Sequence, residues 1–511
     1  MCSAGFLITL SLVLGGGAKI SKKINIRRWI VVLVFLLVVS GASVAEIIYV
    51  DADATIGGDG MSWATSYKYL YDALDKPPTS GDEIWVAQGT YKPDPTGLAE
   101  PRAATFQLIS GVAIKGGYGG LGKPAPNKRD TTVYETILSG DLNGDDGPNF
   151  ANNDENSYHV VTTTWTDVNV VLDGLTITNG NANGSDSETM GGGGMFSLGS
   201  MELVNCSFSE NSAAGGGGGM FVMHNYSTLT NCNFAGNSAG CGGGLDNSEI
   251  GDAILTNCTF IGNSADYWGG GMSNGRGSRS VLINCTFSGN TAPSGGGIGN
   301  AHGTAPLLTN CTFGSNEAED YGGGLYSFHD SHPELTNCIF WGNSAYEGPQ
   351  IALFFSSSLV ASYSDIEGGE WDIYVNDSTV NWDNNDINLD PCFVDAGNGD
   401  YHLQWDSPCI NAGDPSFVFD ANERDIDGEP RVMVGCVDIG ADETSEKQAD
   451  FTRNGKINAE DLGVFVQLWL SSSADIDWYI LCDLYEDNGI DFADFAEFAN
   501  DWLWQAGWYE P

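Results

Sequence analysis

The residues with the most explicit chemistry lie near the C-terminus. Asp450, Thr452, Asn454, Asn458 and Asp461 fall at positions 1, 3, 5, 9 and 12 of a twelve-residue loop, with Gly455 at 6, the Lys456 carbonyl at 7 and Ile457 at 8. Oxygen ligands at that spacing, around a glycine that makes the sharp turn, suit Ca2+. Further along, Asp483, Asp487, the Gly489 carbonyl, Asp491 and Asp494 repeat the plan, with Tyr485 at position 3 and Asn488 at the glycine position. Two Ca2+ sites are expected, the second weakened by those departures. Without a cation, carboxylates gathered this closely would repel one another.

Acid–base chemistry is harder to locate. Between Asp130 and Glu423 the only Lys or Arg side chains are Arg276 and Arg279, which share the stretch Asn274-Gly-Arg-Gly-Ser-Arg279. A solvated loop accounts for them, because a working base needs perturbing neighbours. Asp145-Asp146 and Ala301-His302-Gly303 are the nearest approach to a hydrolase centre, and carboxylate pairs are too common in an acidic chain to name an acid and a base. No catalytic residue is assigned.

The elements that carry these residues follow from a repeat. Cys206, Cys232, Cys258, Cys285, Cys311 and Cys338 are spaced 26 or 27 apart. Each follows an Asn (Asn205, Asn231, Asn257, Asn284, Asn310, Asn337) and precedes by two a Phe (Phe208, Phe234, Phe260, Phe287, Phe313, Phe340). A second Asn stands five places after each Cys (Asn211, Asn237, Asn263, Asn290, Asn316, Asn343), and glycine runs such as Gly242 to Gly244 and Gly269 to Gly271 follow. Short alternating segments bounded by turn residues, with no helical period, read as strands joined by bends. Stacked in parallel, such units place equivalent residues about 4.8 Å apart. The expected architecture is an all-β parallel β-helix of about 26 residues per coil. Asn is expected at left-handed bends, with its amide bonded to its copy in the next coil. The six cysteines are expected as a column of buried thiols. In-register neighbours seldom reach disulfide torsions, and a linear stack cannot surround a metal.

Composition agrees. Glycine is 69 of 511 residues and charged residues are 17%, which leaves little for long charged helices. The net charge of −47 argues against nucleic acid as a partner. Lys22, Lys23, Arg27 and Arg28, the apolar run Trp29 to Val39, and the small residues Ser43 and Ala45 form a secretory signal with cleavage expected after Ala45. The run is short for a membrane span, so the mature chain is expected to have none. Given export, a disulfide among Cys392, Cys409 and Cys436 fits as well as free thiols do.

The glycine run followed by Phe-x-x-Asn, as in Gly269-Gly-Gly-Met272 and Phe260-x-x-Asn263, resembles the polymorphic outer-membrane-protein repeat family. That resemblance implies a right-handed β-helix on an exported protein, in several cases an adhesin. Asp390-Pro-Cys392, Ser407-Pro-Cys409 and Val437-Asp-Ile-Gly-Ala-Asp-Glu443 resemble a choice-of-anchor module. The duplicated loops and the helices after them look like a type I dockerin, a small all-α Ca2+-binding domain that engages a cohesin. In that family positions 10 and 11 help choose the partner, and here they are Ala459/Glu460 and Phe492/Ala493 without the common Ser/Thr.

The chain therefore divides into a signal (1–45), an N-terminal cap and first coils (46–180), the regular repeat (181–355), C-terminal coils or cap (356–445) and a dockerin-like domain (446–511). The expected function is non-enzymatic adhesion or display at the cell surface or outer membrane, with carbohydrate or a surface protein as ligand and a cohesin-like protein as attachment partner. A polysaccharide lyase or glycoside hydrolase is the alternative.

Overall fold

A computed structural model of the chain describes residues 45–75, 78–165, 169–224, 226–404, 407–418, 423–426, 428–431, 436–444, 457–467, 469, 490–500 and 502. The signal expected at 1–45 therefore lies almost wholly outside the described residues. Among these, no helix is long and apolar enough to cross a membrane.

The repeat folds as a parallel solenoid. Four sheets run its length: one of twelve strands, from Ile47–Val50 to Thr379–Trp382, two of ten and one of six. Between Val170 and Phe328 each coil contributes one short strand to each sheet. In the coil beginning at residue 254 these are Ile254–Thr256, Thr259–Ile261, Ser264–Trp268 and Met272–Gly275. Successive coils pair in register, so that Thr259, Phe260 and Ile261 lie beside Thr286, Phe287 and Ser288.

Four corners turn each coil, and each is a left-handed residue. Asn205, Asn231, Asn257, Asn284, Asn310 and Asn337 hold the first at φ 51–53°, as their spacing predicted. Glycines such as Gly262 and Gly269 serve the second and third. The fourth corner carries neither residue type.

Inside, the side chains form columns. Phe208, Phe234, Phe260, Phe287, Phe313 and Phe340 are fully buried and stack with centroids 4.3–4.9 Å apart. Burying each ring contributes roughly 2–3 kcal/mol before entropy is counted. The six cysteines form the neighbouring column as free thiols, each Sγ donating to the carbonyl two residues earlier at 3.4–3.5 Å. The second asparagine series is a continuous amide ladder: Asn211 Nδ2 donates to Asn237 Oδ1, and so on through Asn263, Asn290 and Asn316 to Asn343, at 2.8–3.1 Å. Each Nδ2 in the run also donates to a backbone carbonyl, as Asn263 does to Phe234.

Helix α1, Leu70–Asp75, buries Leu70 and Ala73 in the core of the first coils. At the other end the parallel coils stop at Trp382, and the chain then forms an antiparallel pair, Phe393–Asp395 with Asp400–Leu403. The described residues between there and 444 lie along the outside of the phenylalanine-bearing sheet as a strap, which reaches Asn284 at Arg424 and is back at Thr312 by Ala441. Cys409 Sγ meets Asp365, Asp414 N–H donates to Asn337 Oδ1 (2.8 Å), Ala441 N–H to Thr312 Oγ1 (3.0 Å), and Asn284 Nδ2 to the Arg424 carbonyl (2.7 Å). Cys392, Cys409 and Cys436 are not bonded to one another, and each Sγ is held by a different acceptor: Asp390 O, Asp365 Oδ2 and Gly413 O.

Helices α2 (Ala459–Gln467) and α3 (Phe492–Asn500) follow the two Asp-rich loops. Phe465 lies against Phe498 at 5.5 Å and Trp469 against Phe492 at 5.1 Å, which packs the pair together.

Candidate functional site

The fourth corner ends the ten-stranded sheet that includes Met220–Met223, Leu245–Ser248, Met272–Gly275, Ile298–Ala301, Leu325–Phe328 and Ile351–Phe354. Its left-handed residues are His224, Glu249, Arg276, His302, His329 and Phe355, with φ between 47° and 61°. A non-glycine residue there costs roughly 1–2 kcal/mol. Six in a row, none of them Asn or Gly, is backbone strain carried by chemically capable side chains, and strain of that kind gathers at functional sites.

The six residues interact along the solenoid in two groups of three. His224 Nε2 lies 3.1 Å from Glu249 Oε2, and Arg276 pairs with Glu249 Oε1. His302 stacks on His329 at 5.1 Å and His329 on Phe355 at 4.9 Å. Trp165, 57% exposed, sits against His224 at one end; Phe355, 49% exposed, closes the other. Phe328 joins the row to Trp268 and Tyr326 on the outer face, at 5.7 and 5.3 Å. With a rise of about 4.8 Å per coil, the six corners span roughly 24 Å.

Beneath the corner runs a second buried amide ladder that the repeat analysis did not single out. Asn247 Nδ2 donates to Asn274 Oδ1 (3.2 Å), Asn274 to Asn300 (3.0 Å) and Asn300 to Ser327 Oγ (3.2 Å). Its signal was present in Leu-Asp-Asn247, Met-Ser-Asn274 and Ile-Gly-Asn300, at the same 27 and 26 spacing. The ladder fixes the strand ends from which the corner residues project.

Asp246 belongs to this sheet, on its outer face, tucked where Gly216 leaves no side chain to exclude it. Its Oδ1 accepts from Ser248 Oγ (2.7 Å) and Ser273 Oγ (2.6 Å). Burial raises the carboxyl to about 6, against the opposing pull of those hydroxyls. Such a group can hold or release a proton near neutrality. Arg276 takes Glu249, not Asp246, as its carboxylate partner, and the Arg279 backbone N–H donates to Asp252. The two arginines therefore do not converge on one base.

The model of the right-handed β-helix region family matches residues 143–313 and, overlapping, 273–399. This chain belongs to the right-handed β-helix family. Among solved structures, the β-helix resembles the pectate lyase Pel9A at 14% identity, over 80% of this chain and 98% of that one, with TM-score 0.45. It resembles the pectin methylesterase PemA from Erwinia chrysanthemi at 11% identity (65% and 93% covered, TM-score 0.31). It also resembles PfbA, a surface adhesin of Streptococcus pneumoniae, at 13% identity (62% and 86% covered, TM-score 0.32). No curated protein sequence matches the chain.

Of the expected Ca2+ ligands after the β-helix, Asp450, Thr452, Asn454, Lys456, Asp483, Asp487 and Gly489 lie outside the described residues. Asn458, Asp461, Asp491 and Asp494 are described, and the two copies match. Asp461 Oδ2 accepts the Asn458 N–H at 2.9 Å, and Asp494 Oδ2 the Asp491 N–H at 2.7 Å. Both closing aspartates, and Ile457 and Ile490 before them, are fully buried. In each copy this is the reciprocal capping contact of a helix start, made just before Ala459–Gln467 and Phe492–Asn500.

Proposed function

We propose that this β-helix is an exported display or adhesion protein whose histidine, glutamate, arginine and aromatic corner binds an elongated polysaccharide. The observation that carries the reading is the run of six strained corner residues from His224 to Phe355, in contact as a charged group of three and an aromatic group of three. Regular spacing along the solenoid suits a ligand that itself repeats, and the exposed rings of Trp165 and Phe355 offer apolar faces beside charged hydrogen-bonding groups. With a net charge of −47, a neutral polysaccharide is favoured over an anionic one.

The C-terminal helices serve attachment in this reading. Asp450, Asn454, Asn458 and Asp461 would hold one Ca2+, with Thr452 and the Lys456 carbonyl; Asp483, Asp487, Asp491, Asp494 and the Gly489 carbonyl would hold another. Bound Ca2+ would neutralise both loops and fix the helices for a cohesin-like partner at the cell surface.

A second reading, a carbohydrate-active enzyme, rests on Asp246, whose raised carboxyl lies in the same sheet. One polysaccharide panel tests both, scored for retention and for newly released ends. The binding reading expects retention without cleavage, lost at least tenfold in a His302→Ala/His329→Ala/Phe355→Ala variant. Cleavage that disappears in Asp246→Asn would establish the enzyme instead. Retention untouched by the triple variant would remove the corner from the function.

A further inference from the structure

We infer that the loop 141–156, outside the repeat and independent of the C-terminal module, holds a calcium ion between Asp141, Asp146 and Glu155. One carboxylate oxygen from each lies within 4.8 Å of the others, a span that a single cation with oxygen bonds of roughly 2.3–2.6 Å can bridge. Asp146 Oδ2 already accepts Asn156 Nδ2 (2.6 Å) and Asn179 Nδ2 (2.5 Å), which leaves Oδ1 buried and without a partner. Glu155 Oε1 is buried and unpartnered in the same way.

A third orphan comes from outside the acidic cluster. Asn156 is 1% exposed, its amide is in contact with Asp146, and its Oδ1 has no hydrogen-bond partner. Buried acceptors are normally satisfied. Here every orphan is an oxygen acceptor, and a hard cation satisfies several of them at once.

The remaining geometry is already set. Asp141 is held by the backbone N–H groups of Gly144, Asp145 and Asp146, so the loop wraps its own carboxylate. Lys92, 3.8 Å from Asp141, brings one positive charge to three carboxylates. Asp141-x-Asn143-x-Asp145 has the ligand spacing with which calcium loops begin. An all-oxygen set without nitrogen or sulfur, on a loop rather than a rigid octahedral frame, favours Ca2+ over Zn2+ and Mg2+. Through Asn179, itself a left-handed corner residue, the ion would tie the loop to the first regular coils.

Hydrogen–deuterium exchange of the full chain in Ca2+ and in chelator tests the site, read on peptides covering 141–156. At a Ca2+ concentration 100 times the dissociation constant, these amides should exchange about 100-fold more slowly where exchange requires release of the ion. An Asp146→Asn/Glu155→Gln variant should lose that difference while peptides from 457–500 keep theirs. Calcium-dependent protection confined to 457–500 would overturn this site and leave the attachment module standing. Equal protection by Mg2+, or protection that survives in the variant, would also overturn it.

Discussion

At Cys258 the side chain is fully buried, its Sγ within reach of the carbonyls of Leu229 and Thr256 and beside the thiols of Cys232 and Cys285. Burial pushes this thiol, and that of Cys338 in the same column, well above the ordinary cysteine value. A thiol must also be reached to react, and all six ladder cysteines are at most 2% exposed, so they should resist a thiol-reactive disulfide in the native protein and all react in denaturant. The partly exposed Cys241, Cys392 and Cys436 should be modified first. Native labelling of Cys258 or Cys285, mapped by mass spectrometry, would contradict a closed column. These positions were legible because one residue type recurs at one spacing. The fourth corner was not: His224, Glu249, Arg276, His302, His329 and Phe355 share a backbone conformation but no chemistry, so a search for repetition passes over them.

Among the elements, the glycine bends separate two reasons for glycine. Gly262 has φ +61° and open space around the position a Cβ would take. Gly270 has no positive φ, but a Cβ there would lie 2.5 Å from both the Gly296 and Thr291 carbonyl oxygens. Gly262→Ala should cost about 1–2 kcal/mol, the left-handed penalty for an L-residue. Gly270→Ala must push backbone against backbone between adjacent coils and should cost more, about 3 kcal/mol or above. Urea unfolding of the two variants gives the comparison, and the opposite order would refute the packing argument. The glycine runs announced the bends without saying which glycine served conformation and which served close approach. That distinction depends on the neighbouring coil.

Over the whole molecule, buried carboxylates set a pH trend. Burial raises Asp246, Asp365 and Asp386 to about 6 and Asp438 to about 7. Their unfolded values lie near 3.9, so between pH 4 and 7 the folded chain binds more protons and stability falls as pH rises. The net charge of −47 at pH 7 adds self-repulsion of the same sign. Melting temperature measured in chelator should therefore decrease from pH 5 to pH 8, and a rise across that interval would disprove the assignment. Asp365 and Asp438 belong to the strap and its seat, which sequence patterns did not reveal. Contacts such as Ala441 to Thr312 join residues 129 apart and recur nowhere else.

The strap also answers a problem that the repeat creates. Coils with matching ladders could slip past one another by a whole turn and still pair Asn with Asn and Phe with Phe, so the ladders cannot count. The strap touches Asp365, Asn337 and Asn284 on its way down, through Cys409, Asp414 and Arg424, and Thr312 on its way back, through Ala441, one residue on each of four successive coils. Asn337, Asn284 and Thr312 have like residues one coil away, but Asp365 stands in register with Ile339, so a chain misaligned by one turn would set Cys409 against an apolar side chain instead of its carboxylate.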